Sequence, residues 1–259
     1  MGTPDSILRA CRQIGDGITH EGFEPLRIEA RGVEREIGMS SRFMARSGIA
    51  VGLIADLLEW KPDLIIQVGV GLVHKEVEVL HQEWPECEWI GFEAHPDIAS
   101  KVNKDYPGSL FPIAVTDVPG STTLYTPSRH KDGSSLWSVQ DDCKPIEVSA
   151  SNLDSLVSRK KLDESKEVLL WLDCEGGELN ALKGSEEIIG RVNVINVEMT
   201  ALPPSTGWCK PHDLHRWLRD HRFIRQWTHT QRSTSGQYDA IYVRESMYRQ
   251  EYSNDPYVI

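Results

Sequence analysis

Nowhere in this chain do about 18 apolar residues run together, so no membrane-crossing helix is expected. The opening M-G-T-P-D-S has no basic stretch leading into an apolar one, and export is not expected either. Cysteine is sparse: Cys11, Cys87, Cys143, Cys174 and Cys209 are odd in number, widely spaced and never form C-x-x-C. Neither a disulfide framework nor a thiolate zinc site is indicated by that pattern, and reduced cytoplasm is expected. Cations are also short. Twenty-eight Lys and Arg face 39 Asp and Glu, and the net charge of -11 opposes binding to nucleic acid or to anionic membranes.

What is present suits an ordinary globular protein, with 259 residues of which 39% are hydrophobic. The most informative stretch is Val168 to Glu178, V-L-L-W-L-D-C-E-G-G-E. An apolar run ends in Asp173 and Glu175, and Leu179, Leu182, Ile188 and Ile189 then recur at helical spacing. This predicts a buried parallel strand, a turn and a helix, with the acids at the strand's carboxyl end, where open α/β sheets bind ligands. Glu178 is read chiefly as a helix-start acid that favours the dipole. Asp173 ends a buried run, so it needs a donor, a cation or a ligand.

A second unit of the same kind lies earlier. Leu64 to Val68 runs into Gly69-Val70-Gly71, and Val73, Val77 and Leu80 then share a helix face. Small residues there let a ligand approach the backbone, while the following helix turns its N–H groups toward it. His74 occupies the third position of G-x-G-x-x-G, which disfavours a dinucleotide site. Glu88 to Phe92 reads as the next strand and ends at Glu93, placed to accept hydrogen bonds from ribose hydroxyls.

Further elements are expected at Asp97 to Asp105 (helix), Leu110 to Val115 (strand), Thr122 to Tyr125 and Ile146 to Val148 (added strands), and Asn152 to Leu162 (helix). A fifth strand, Val192 to Val197, stops at Glu198. A helix from His212 to His221 and a hairpin of Arg222 to Thr228 with Tyr238 to Val243 close the pattern. The polar stretch Thr126 to Pro145 is read as a lid or substrate loop, with Trp137 and Trp208 able to pack against an acceptor. His212 and His215, at i and i+3, are read as one surface and one packing histidine. The expected domains are a helical extension over 1–60, in which Arg27, Arg31, Arg35, Arg42 and Arg46 mark a solvated face, a ligand-binding domain over 61–246 and a tail over 247–259.

L-D-C-E-G-G-E-L-N-A-L-K-G-S-E-E-I-I resembles the D-x-E-G-x-E-x-x-x-L-x-G motif of the FkbM family of S-adenosylmethionine-dependent methyltransferases. G-F-E-A-H-P is similar to that family's F-E-P-x-P, and I-A-V-T-D, S-S-L, N-L-D-S-L and Y-D-A-I-Y-V resemble further blocks in the same order. The likeness spans Asp63 to Arg244. It departs in the glycine loop, where Gln67 replaces an acid and Val73 the last glycine; glutamine cannot neutralise an ammonium group.

The resemblance implies an α/β class I methyltransferase, with a Rossmann-like doubly wound sheet of seven strands, mostly parallel with the last reversed. It further implies S-adenosylmethionine as cofactor, held by Gln67, Gly69, Gly71, Glu93, Ala94, Ala114 and Val115, and methylation of a hydroxyl on a sugar or natural product. An alcohol gives up its proton about as reluctantly as water, whose pKa is roughly 15.7, so a base or metal is expected to assist. Asp173, Glu198 and His95 are the candidate catalytic residues, with His74 a further one. Asp173 and Glu198 are also the candidate ligands of Mg2+. A homo-oligomer is a candidate assembly. The alternatives are an inactive binding or scaffolding protein on the same fold and an NAD-dependent oxidoreductase.

Overall fold

The computed structural model describes residues 26–30, 33–37, 46–72, 75–128, 133–138, 142–157, 166–230 and 236–248. His74, Arg31, Arg42 and most of the expected tail lie outside the described residues.

Twelve strands and six α-helices follow one another in these segments. They are β1 (Leu26–Ala30), β2 (Val33–Ile37), α1 (Arg46–Leu58), β3 (Leu64–Val68), α2 (Lys75–Glu83), β4 (Glu88–Phe92), α3 (Pro96–Val102), β5 (Ser109–Phe111), β6 (Ala114–Val115), β7 (Gly120–Thr126), β8 (Lys144–Ser151), α4 (Leu153–Leu156), β9 (Val168–Leu172), α5 (Glu178–Lys183), β10 (Val192–Thr200), α6 (Pro211–Asp220), β11 (Phe223–Thr230) and β12 (Gln237–Arg244). The main sheet has the order β11-β12-β10-β9-β3-β4-β5. Its strands β5, β4, β3, β9 and β10 run parallel, while β12 is antiparallel to both β10 and β11.

All five residues of β3 and of β9 are buried, as expected for central strands covered on both faces. Alternation then divides the core. Ile65, Leu169, Val194 and Ile241 pack with Val51, Ile54 and Leu57 of α1 and Val77 and Leu80 of α2. On the opposite face Leu64, Ile66, Leu170 and Ile195 pack with Leu153, Leu182, Leu214 and Leu218 from α4, α5 and α6. A smaller sheet, β6-β8-β7, carries its own cluster of Ala114, Leu124, Val148 and Ala150.

Several expectations change here. Residues 26–30 and 33–37 form an antiparallel pair rather than helix, with Arg27 opposite Glu36 and Arg35 opposite Ile28; cross-strand pairing satisfies backbone groups that a helix would have closed locally. Leu110 to Val115 is not one strand. It divides between the edge of the main sheet and the smaller sheet, with Ile113 N–H turning back to Phe111 O. β10 runs on to Thr200, because β12 pairs with it as far as Gln237, so Glu198 sits within a strand rather than beyond its end. Met247 and Tyr248, expected in a tail, pack against the core. Among the described residues no helix is long and apolar enough to cross a membrane.

Candidate active site

The carboxyl ends of β3, β4 and β9 open onto one cleft, whose lining includes Gly69, Gly71, Glu93, Ala94, Ala114, Val115 and Asp173. The turn after β3 is possible because Gly69 (φ 80) and Gly71 (φ 66) take left-handed backbone conformations. A Cβ on Gly69 would lie 1.7 Å from the carbonyl oxygen of Asp173, so only glycine lets β3 and β9 approach this closely. Among the described residues, a Cβ on Gly71 would meet no heavy atom within 4 Å beyond its chain neighbours, room that suits a ligand reaching the backbone.

Glu93 ties the turn to β4. Its Oε2 accepts from the N–H groups of Val70 (3.2 Å) and Gly71 (3.0 Å), and its Oε1 accepts from His95 N–H at 2.7 Å. The residue expected to meet a ribose therefore also shapes the loop around it. Ile113, Leu124 and Leu136 add an apolar wall that sequence reading missed, because they come from the approach to β6, from β7 and from the loop after it. Glu93→Ala leaves three backbone N–H groups without this acceptor, at about 1–3 kcal/mol apiece where water cannot replace it. We expect weaker binding of S-adenosylhomocysteine by calorimetry together with a lower melting temperature.

Two expected cofactor and catalytic residues lie elsewhere. Gln67 is 5% exposed and alternates with Ile66 and Val68 on the strand, so it shares the α1/α2 face with Ile65, below the cleft rather than in its lining. His95 caps α3: its Nδ1 accepts from Asp97 N–H at 3.2 Å, it is 4% exposed, and it is not among the residues lining the cleft. Trp208 does not present a face to the cleft, since its ring fills the place of a Cβ on Gly176. Trp137 fills the corresponding place at Gly207. His212 contacts Asp213, and His215 Nδ1 lies 3.2 Å from Tyr242 OH, so the pair makes no metal site.

The turn after β9 is held from several sides. Glu178, 2% exposed, accepts through Oε1 from the N–H groups of Cys174 and Gly176 (both 3.1 Å) and through Oε2 from the Cys209 thiol (3.1 Å). It braces the turn. Glu175 (φ 51) is a rare left-handed non-glycine residue, costing about 1–2 kcal/mol. Its carbonyl accepts from Ser135 Oγ at 2.7 Å, and leaving that buried hydroxyl unpaired would cost about 1–3 kcal/mol, enough to hold the strained conformation.

Carboxylates collect beside this turn. One oxygen from each of Asp173, Glu175 and Glu198 lies within 4.8 Å of the others. Asp239 stands opposite Glu198 in the β10–β12 ladder and accepts from Ser47 Oγ at 2.8 Å. Asp173 is crowded by protein yet exposed where it opens on the cleft. Burial, then the charges of Glu175, Asp239, Glu178 and Glu76, hold its carboxyl well above the usual range. Glu198, 7% exposed, is raised likewise by burial and then by Asp173, Glu175, Asp239 and Glu178. Glu76 is pushed up to about 7 by burial, opposed by backbone hydrogen bonding and reinforced by Asp239.

An acid whose pKa is raised on folding keeps its proton longer in the folded state, so stability falls as pH rises through the interval between unfolded and folded values. For Glu76 that interval runs from 4.5 to about 7. At about 1.4 kcal/mol per unit, reduced for residual solvent contact, the loss is on the order of 2 kcal/mol. Urea unfolding with chelator present should show stability declining from about pH 5 to pH 8, less steeply in Glu76→Gln.

The wound sheet, its reversed penultimate strand and the cleft at the ends of β3, β4 and β9 define an S-adenosylmethionine-dependent methyltransferase fold of class I. Residues 68–227, more than half of the chain, match the model of the methyltransferase FkbM domain, and the chain belongs to that family. No curated protein sequence matches it. Similar solved structures include magnesium protoporphyrin IX methyltransferase (ChlM) from Synechocystis PCC 6803 with bound SAM, at 9% identity and TM-score 0.40, covering 93% of this chain and 94% of that one. The plantazolicin methyltransferase BpumL in complex with a monoazolic desmethylPZN analog and SAH gives 8%, 0.45, 93% and 95%. Precorrin-6y C5,15-methyltransferase from Geobacter metallireducens GS-15 gives 13%, 0.38, 75% and 86%.

Proposed function

We propose that this protein transfers a methyl group from S-adenosylmethionine to a hydroxyl of a sugar or other natural-product small molecule. The observation that carries the reading is the single cleft in which Gly71, Glu93 and Asp173 meet from three adjacent strands. Its residues fit the cofactor: Gly71 lets a ligand approach the backbone, Glu93 lines the cleft at the carboxyl end of β4 where a ribose would lie, and Ala114, Val115, Ile113 and Leu124 form an apolar wall for the adenine.

S-adenosylmethionine supplies an electrophilic methyl on its sulfonium. The chain's task is then to align an acceptor oxygen in line with that carbon, exclude water and receive a proton. We assign the last of these to Asp173, supported by its place in the cleft lining and by a raised pKa, which makes its carboxylate a stronger base than an ordinary aspartate. A carboxylate oxygen of Asp173 would take the hydroxyl proton as the new O–CH3 bond forms and the S–CH3 bond breaks, its electron pair staying on sulfur and S-adenosylhomocysteine leaving. Glu198 and Glu175 stand beside it as the groups that oppose its negative charge and sustain that basicity.

A second reading adds a divalent cation, with Mg2+ as the candidate. It is favoured by the closeness of Asp173, Glu175 and Glu198, three oxygen donors of the hard type such an ion prefers. These residues would hold the ion, and its charge would orient an acceptor hydroxyl.

Calorimetry with S-adenosylhomocysteine, followed by incubation of methyl-labelled S-adenosylmethionine with a panel of sugars and hydroxylated natural products, tests the main reading. Binding and transfer of label to a hydroxyl are expected. Absence of both would leave an inactive scaffold. Treatment with EDTA should abolish transfer, with Mg2+ restoring it, if the cation takes part; full activity in chelator removes it.

A further inference from the structure

We propose that Ser135 is a positioning residue, which holds Glu175 in its left-handed conformation and so couples order in the catalytic turn to occupancy of the cofactor cleft. The coupling to the cofactor rests on the methyltransferase reading; the hold on Glu175 does not.

The hydroxyl has one role left open to it. Ser135 is 1% exposed, and its backbone is paired in both directions with Tyr125, N–H to O at 2.8 and 3.1 Å. Its Oγ accepts from Trp137 N–H at 3.3 Å and donates to Glu175 O at 2.7 Å. Since Trp137 N–H is itself a donor, the serine proton is directed to the Glu175 carbonyl. A backbone rearrangement at Glu175 that turned its carbonyl away would leave the buried proton without this acceptor.

The same short segment forms part of the cleft. Ser134 and Leu136, on either side of Ser135, line it together with Glu175 and Asp173. A ligand resting on that wall restricts the segment, and the restriction reaches Glu175 through one hydrogen bond. The Glu175 carboxylate in turn belongs to the group with Asp173 and Glu198. Gly176 follows at φ 93 with the Trp208 ring in the place of a side chain, so the backbone beyond Glu175 has little room to compensate.

Amide hydrogen exchange over residues 174–178 in the full chain tests this with four proteins: unmodified, Ser135→Ala, Glu175→Gly and the double variant. Glycine holds positive φ unaided, so the benefit of Ser135 should disappear once position 175 is glycine. Without ligand, Ser135→Ala is expected to speed exchange about tenfold when Glu175 is present and less than about threefold when it is glycine. Equal acceleration in both backgrounds would mean that Ser135 merely packs, and no acceleration that it does not hold the turn; either overturns the proposal. Adding S-adenosylhomocysteine should slow exchange at the turn in the unmodified protein, with most of that protection lost in Ser135→Ala. Retained protection overturns the coupling. If calorimetry finds no S-adenosylhomocysteine binding to the unmodified protein, the methyltransferase reading and the coupling fall together, while the ligand-free comparison still decides the hold on Glu175.

Discussion

Asp173→Asn is expected to make the protein more stable and nearly inactive. Asparagine keeps the size of the side chain and the backbone bond from residue 173 N–H to Val68 O at 2.9 Å, so the join between β9 and β3 survives. It removes one charge from a crowded group, where Glu175, Asp239, Glu178 and Glu76 all oppose ionisation of Asp173. Unfolding temperature, measured with chelator present at a pH where the carboxylates ionise, should therefore rise, by an amount reduced because Asp173 is exposed on the cleft. Turnover should fall by about 10²-fold or more, the usual scale for loss of a general base. S-adenosylhomocysteine affinity should stay measurable. Opposite signs in stability and activity identify a residue retained for chemistry at the expense of the fold. Unchanged turnover would remove Asp173 from the mechanism.

Gly69→Ala should have the largest structural effect. The added methyl meets the Asp173 carbonyl oxygen at 1.7 Å, a backbone atom that cannot rotate aside, and alanine is also strained at φ 80. The two penalties together come to about 3 kcal/mol or more, a large part of a typical folding free energy of roughly 5–15 kcal/mol. Relief requires β3 and β9 to separate at their carboxyl ends, which displaces both the loop held by Glu93 and the turn carrying Asp173. Loss of cofactor binding and a fall of several degrees in melting temperature are expected together. Gly71→Ala is the contrast: among the described residues no heavy atom beyond its chain neighbours lies within 4 Å of its new methyl, so it should bind cofactor poorly while destabilising the fold less. Equal melting temperatures for Gly69→Ala and the unmodified protein would contradict the close approach.

Legibility follows the range of the interactions. Val168–Leu172 and Leu64–Val68 are readable as buried parallel strands, because a strand covered on both faces must be apolar at nearly every position. The glycines at 69 and 71 are readable as a ligand turn for a similarly local reason. His95 is not readable as a helix cap, since the same ring nitrogen serves as cap or base and only its bond to Asp97 N–H decides between them. Gln67 sits next to the glycine turn in sequence, but strand alternation carries its side chain to the α1/α2 face. Ser135 and Asp239 fall in the family blocks S-S-L and Y-D-A-I-Y-V, but no spacing rule gives either of them, or Glu76, a place beside the acids. They reach the acids from distant parts of the chain, and only packing links them to Glu175 and Asp173.

The amino-acid order by itself determined the wound α/β sheet, the family motifs and the strand ends at which Gly69, Glu93 and Asp173 would meet, since apolar runs and glycine turns act over a few residues. Tertiary structure alone decided which acids share one electrostatic environment and which polar groups serve the fold. Burial, register between β10 and β12, and the reach of a single serine hydroxyl are properties of packed neighbours rather than of sequence neighbours.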